Sequence, residues 1–198
     1  MRALFLADEK PSEPLHELAK DCEIIILLGD LFYEWIKELE NISIPILGVT
    51  GNHDFDTHMN PNSENPLEKI GATQLHLDTF EYRGVRFAGF SGDLSYIFAE
   101  NNKPYWKGND PDILKDELKK METLESADVL LTHFPSNGTL DMPKFLGRKG
   151  LQTFRNYIDR VKPKYHFHGH MHVPCTAQVN QTEVNCVFPY LIKDISQK

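Results

Sequence analysis

The sequence predicts a single α/β domain over residues 1–198. Three observations carry that prediction. Apolar runs recur three times in the first fifty residues, helical patterns separate them, and a 198-residue chain fits one hydrophobic core. The first run, 4–6, ends at Asp8; the second, 23–28, ends at Gly29-Asp30; the third, 44–49, ends at Thr50-Gly51-Asn52-His53-Asp54. These runs are apolar throughout instead of alternating, which is the pattern of strands buried on both faces of a sheet. Ser12 is placed to cap a helix over 13–20, with Pro14 in its first turn. Leu31, Trp35 and Leu39 share one face of a second helix over 31–39. Strand, helix, strand, helix, strand makes two parallel β-α-β units.

The text then turns polar from 50 to 73, with two prolines and four asparagines, and reads as loop. Strands at 79–82 and 85–90 flank Arg83-Gly84, a hairpin signal. The stretch 91–110 is irregular but carries Tyr96, Phe98, Tyr105 and Trp106, which fit either a lid or a satellite core. A helix is predicted over 112–121, a strand over 128–132 ending at His133, a loop over 134–147 and a helix over 151–161. A strand over 165–168 ends in Gly169-His170-Met171-His172. Strands 175–179 and 182–188 form a hairpin around Asn180-Gln181, a turn that sets Cys175 opposite Cys186. No repeat or linker divides the chain.

Composition narrows the function classes. A net charge of −8 argues against a general duplex nucleic-acid binder, which needs a positive field over a face. A small anionic partner remains compatible, because a metal ion reverses the field locally. The longest uninterrupted apolar run, Ile24 to Leu28, is far short of the roughly 20 residues of a membrane span. The first eight residues turn acidic too soon for a signal peptide, and three cysteines without a C-x-x-C fit a reducing compartment. A cytoplasmic protein is the expectation.

Five predicted strand ends carry Asp8, Asp30, Asn52-His53-Asp54, His133 and His170-x-His172. In open α/β sheets, ligands bind beyond the carboxyl ends of strands, so these groups are expected to meet. Imidazole, carboxylate and amide oxygen suit a first-row divalent metal such as Mn²⁺, Fe²⁺ or Zn²⁺, and the absence of thiolates disfavours a structural zinc knuckle.

Gly29-Asp30, Gly51-Asn52-His53-Asp54, Thr132-His133 and Gly169-His170-Met171-His172, in this order, resemble the motifs of the calcineurin-like metallophosphoesterases. That resemblance implies an α/β/β/α four-layer sandwich with mixed sheets. It implies one or two divalent ions per chain, Mn²⁺ first with Fe²⁺ or Zn²⁺ as alternatives. Asp30 would bridge the ions, Asn52, His133 and His170 would complete the second site, and Asp8 and His172 would belong to the first. His53 would stabilise phosphoryl charge and protonate the leaving oxygen, with Asp54 orienting its ring. The implied activity is hydrolysis of a small phosphodiester or nucleotide-type substrate by a metal-activated hydroxide.

The chain departs from the family at its first motif. The family opens Asp-x-His, and here the text is Asp8-Glu9-Lys10. In this it resembles small bacterial members that begin Ser/Ala-Asp-Glu and lack the histidine too. An ammonium has no lone pair and repels a cation, so the first site is expected to be weak, with Lys10 pointing at Asp8. The competing expectation is that Lys10 swings to solvent. Lys10 is also the one feature favouring a different class, a protein-binding scaffold like the retromer subunit, which resembles this family but has a degraded metal site.

Each remaining group has a plain reading beside a functional one. His166 and His168 read as core or as supports for metal ligands. His16, His58 and His76 read as surface, with His58 near enough to the third motif to replace a ligand. Arg148 and Lys149 read as a solvated turn or as phosphate contacts.

Overall fold

The computed structural model describes residues 1–54, 64–92 and 111–198, without the side chains of 111–114 and 146. His58, Tyr96, Phe98, Tyr105 and Trp106 lie outside the described residues.

The three apolar runs fold as strands β1 (Arg2–Leu6), β2 (Ile24–Leu27) and β3 (Ile46–Gly48), parallel to one another. Period-two alternation divides their side chains between two cores. Ala3, Phe5, Ile24, Ile26 and Leu47 face inward between the sheets, whereas Leu4, Leu6, Ile25, Leu27 and Ile46 pack under helices. This two-sided burial is why the runs do not alternate in hydrophobicity. A two-residue strand, β4 (Thr73–Gln74), extends the sheet beside β3.

The second sheet is built from β5 (Asp78–Tyr82), β6 (Val85–Phe90), β7 (Val129–Thr132), β8 (Tyr165–His168), β9 (Cys175–Val179) and β10 (Thr182–Cys186). Its order is β5-β6-β7-β8-β10-β9, with antiparallel pairs at both edges and parallel pairs between. The last strand, β11 (Tyr190–Asp194), returns to the first sheet antiparallel to β1, giving the order β11-β1-β2-β3-β4. Both sheets are therefore mixed. Phe5 of one sheet stacks on Phe167 of the other with centroids 3.9 Å apart.

Helices α1 (Leu15–Ala19), α2 (Tyr33–Ile36) and α3 (Pro66–Lys69) lie on the chain segments that cover the first sheet. Helices α4 (Pro111–Thr123) and α5 (Gln152–Val161) cover the second, where Met121, Phe154, Tyr157 and Ile158 bury against Phe90, Leu130 and Val184. The result is the four-layer α/β/β/α sandwich.

Local predictions are corrected in three places. Helix α1 starts at Leu15 instead of 13, because the residue before Pro14 is driven out of the helical region. Ser12 does not cap it; its hydroxyl donates to the Glu13 carboxylate at 2.9 Å. The second helix is not continuous: α2 gives way to a 3-10 turn over Lys37–Asn41. The i, i+3 spacing of that turn buries Ile36 with Leu39 and leaves Trp35 only half-buried. Inside the segment read as loop, Asn65 caps α3 by accepting from the Leu67 N–H at 3.0 Å. The hairpin register does hold: Cys175 and Cys186 are directly opposed, and all three cysteines are free.

Candidate functional site

Asp8, Asp30 and the segment 51–54 follow the carboxyl ends of β1, β2 and β3, and His133 and Gly169–His172 follow β7 and β8. The turns that carry these groups are strained. Asp8 (φ 66°), Asp30 (φ 56°), His170 (φ 67°) and His172 (φ 55°) all adopt the left-handed region, which costs a non-glycine residue roughly 1–3 kcal/mol each. Four of the nine non-glycine residues with positive φ among the described residues fall in this one cluster. The glycines are dictated by close approach. A Cβ at Gly29 would lie 2.8 Å from the His133 Nδ1, and one at Gly51 would run into the Asp30 carboxylate and the His133 ring.

Asp8, Asp30 and His133 are buried and offer ligand atoms within 4.8 Å of one another. His133 donates its Nδ1–H to the Leu28 carbonyl at 2.8 Å. That bond turns Nε2 inward, 3.2 Å from Asp30 Oδ2, 3.1 Å from Asn52 Oδ1 and 3.9 Å from Asp8 Oδ1. The Asp8 carboxylate accepts from the His170 backbone N–H at 2.9 and 3.1 Å and lies 3.5 Å from His172 Nε2. His170 is oriented by its own ring: Nε2 donates to the Gly147 carbonyl at 2.6 Å. The structure thus groups Asp8, Asp30 and His133, with Asn52 and His170 half-buried beside them and His172 exposed at the edge.

Electrostatics follow from packing two carboxylates around one imidazole. Burial pulls the His133 pKa down, but the charge and hydrogen bond of Asp30, with Asp8 behind, outweigh it and hold the ring at about 10. Burial would raise Asp30, and the same imidazolium overrides it and lowers its pKa. His170 goes the other way, to about 3, through burial and the nearby His133 charge. Both carboxylates thus favour a charged His133 ring, and the oxygen–nitrogen donor set is one that a divalent ion fits.

His53 and Asp54 differ in kind. The His53 ring is exposed, and its backbone N–H donates to Asp30 Oδ1 at 2.7 Å. Asp54 is buried, and its carboxylate accepts from the backbone N–H groups of Gly51 at 2.7 Å, Asp30 at 3.0 Å and Leu31 at 3.0 Å. The expected task of orienting the His53 ring is thus joined by a structural one, pinning the β3 turn to the β2 turn.

Lys10 is exposed and makes no ion pair among the described residues, so the expectation that it points at Asp8 is not met. His166 and His168 are fully buried, the core reading. Sequence reasoning passed over the Gly147 carbonyl and weighed Arg148 as a solvated turn or a phosphate contact. Arg148 Nη1 in fact donates to the Met171 carbonyl, between His170 and His172, at 2.7 Å. The available signal was only a basic pair after a glycine, which no periodicity marks as part of the site.

The sequence of residues 6–174 matches the family described as calcineurin-like phosphoesterase. The chain belongs to that family, whose class of chemistry is hydrolysis of phosphoric esters. It is 23% identical over 193 residues to a lariat debranching enzyme of Danio rerio, covering 83% of this chain and 33% of that one, so it spans about a third of this curated relative. Among solved structures it resembles phosphopantetheinyl hydrolase of Mycobacterium tuberculosis, with a TM-score of 0.63, 15% identity and coverage of 93% and 87% of the two chains. It also resembles a dimetal phosphatase of Danio rerio, with a TM-score of 0.56, 11% identity and coverage of 94% and 86%. These likenesses establish the shared fold.

Proposed function

We propose that the protein is a metal-dependent phosphoesterase acting on small phosphodiester or nucleotide-type substrates. One observation carries this reading. Donor groups from five strand ends converge around the buried group of Asp8, Asp30 and His133, and both His133 and the half-buried His170 have one ring nitrogen committed to a carbonyl. A histidine that ligates a metal characteristically donates its other N–H to such an acceptor. Asp30 and Asp8 with His133, Asn52, His170 and His172 would hold one or two ions, Mn²⁺ being the first choice. When bound there, a divalent ion supplies Lewis acidity toward phosphate oxygens and lowers the pKa of water.

The chain's own residues do the rest. His133 presents Nε2 and His170 is left with Nδ1, both fixed by the carbonyls of Leu28 and Gly147. Asp54 holds the turn that carries Asn52 and His53. The His53 ring, at the exposed side of that turn, stabilises charge on the phosphoryl group and gives a proton to the leaving oxygen. With Lys10 turned to solvent, Asp8 and His172 keep their places, and that favours an enzyme over a scaffold. The net charge of −8 fits a small substrate better than a duplex. No helix among the described residues is long and apolar enough to cross a membrane, and three cysteines without a C-x-x-C suit a reducing compartment such as the cytoplasm.

Hydrolysis of bis-p-nitrophenyl phosphate, with and without Mn²⁺, tests the proposal. Activity should require the ion, and His53→Ala should lower kcat by roughly 10²–10⁴ with metal content unchanged. Metal-independent hydrolysis, or none with metal loaded, would sink it.

A further inference from the structure

We propose that Arg148 is the residue that grips the non-bridging oxygens of the substrate's phosphoryl group, a specificity determinant of this site. The inference rests on the phosphoesterase reading above and adds to it a residue that the motifs do not contain.

The first ground is an unpaired charge. Arg2, Arg83, Arg86 and Arg155 each meet a carboxylate, of Asp194, Glu23, Glu125 and Asp159, and Arg160 donates to the Leu124 carbonyl while lying over the Tyr157 ring. Arg148 is half-buried and meets no carboxylate among the described residues, in a chain whose net charge is −8. Withdrawing a cation from water without a partner is costly, and an anion brought to the same place offsets that cost.

The second ground is position. The guanidinium spends one N–H on the carbonyl of Met171, the residue between His170 and His172. A guanidinium has five N–H donors in a planar fork, so four remain, and the fork matches two oxygens of a phosphate.

The third ground is preorganisation. Arg148 closes a 3-10 turn over Leu146–Arg148, its N–H donating to the Phe145 carbonyl at 2.9 Å. Its own carbonyl accepts from the Met142 N–H at 2.8 Å, and the preceding Gly147 carbonyl takes the His170 ring. The backbone is thus fixed on both sides of the arginine, so little freedom remains to be lost when an anion arrives. The competing role is a latch, in which the Met171 bond only holds the turn against the histidines.

The test measures inorganic phosphate binding to the Mn²⁺-loaded protein by calorimetry, with metal per chain and thermal midpoint recorded for every variant. Arg148→Ala should weaken phosphate roughly 10- to 100-fold and raise KM by a similar factor, with kcat changed little and metal content unchanged. Arg148→Lys should recover part of the loss, since it keeps the charge without the fork. Arg148→Gln guards against a folding defect because it retains a donor for the Met171 carbonyl; it should weaken phosphate as alanine does. Unaltered phosphate affinity in the alanine and glutamine variants, with metal or midpoint reduced, would make Arg148 a latch and overturn the assignment alone. A loaded wild-type protein that neither binds phosphate nor hydrolyses the diester would overturn the phosphoesterase reading and this inference together.

Discussion

A carboxylate that accepts from three backbone N–H groups of two different turns constrains both of them. Asp54 does this for Gly51, Asp30 and Leu31 while it is itself buried. Burial and the neighbouring Asp30 charge push its pKa up, and the amides of Gly51 and Asp30 oppose that rise. Asp54→Ala would leave buried donors without acceptors, at about 1–3 kcal/mol for each one water cannot reach. It should therefore lower the thermal midpoint by roughly 5–10 °C and weaken metal binding, since Asn52 and Asp30 sit on the turns it joins. A calorimetric scan with a metal titration decides: an unmoved midpoint with only kcat reduced would return Asp54 to the single task of serving His53. The motif Gly51-Asn52-His53-Asp54 was legible as a ligand-bearing turn, because Asn and His follow an apolar strand. Spacing could not tell whether its last carboxylate serves the adjacent ring or a turn more than twenty residues away.

Strand β8 carries the histidines on which motif and core are easiest to confuse. His166 and His168 are fully buried, with ring centroids 5.3 Å apart. His166 Nε2 contacts the Thr132 hydroxyl at 2.9 Å, and His168 Nδ1 donates to the Gly169 carbonyl at 2.9 Å. Burial, aided by its neighbour, drives the His166 pKa well below 6.5; burial takes His168 to about 4, with His133 and Asp141 the charged groups that reach it. Below pH 6.5 the unfolded chain binds protons that the folded one excludes, so stability falls as pH drops from there toward 4. At pH 5 the His168 ring should have cost about 2 kcal/mol relative to pH 7.5, and His166 costs stability in the same direction. His166→Gln, which keeps a donor for Thr132, should make the fall in urea-midpoint stability between those pH values shallower. A variant with the wild-type pH slope would assign the acid sensitivity elsewhere. At this scale the sequence was legible wherever a run was long and uniformly apolar or a turn was tight, as in β1, β2 and the hairpin of β9 and β10. It was least legible where pairing partners are distant. β11 is only partly buried, and β1, its partner, lies nearly the whole chain away.

Across the whole molecule, the proposed ligands divide between the two sheets. Asp8, Asp30 and Asn52 follow strands of the first, and His133, His170 and His172 follow strands of the second. The fold and the clustering were legible because every ligand stands at the carboxyl end of a parallel strand, where topology brings such ends to one edge. The direction of Lys10 and the closing turn at Gly147 were not, since both depend on how loops settle against that edge. An ion held by groups from both sheets ties the sandwich together and stabilises the folded state by mass action. At a free concentration of 100 times its dissociation constant that amounts to about 2.7 kcal/mol. For a chain of this size the thermal midpoint should rise by roughly 5–10 °C with Mn²⁺ and fall back with a chelator. His170→Ala should remain folded and lose most of that shift together with its metal content, because it removes a ligand and frees the Gly147 turn. The imidazolium that lies between Asp8 and Asp30 without metal must lose its proton to ligate, so uptake should release protons, seen as a buffer-dependent heat of binding. If His170→Ala kept the wild-type metal content and the full midpoint shift, the ion would be held elsewhere, and the edge where the two sheets meet would not be the metal centre.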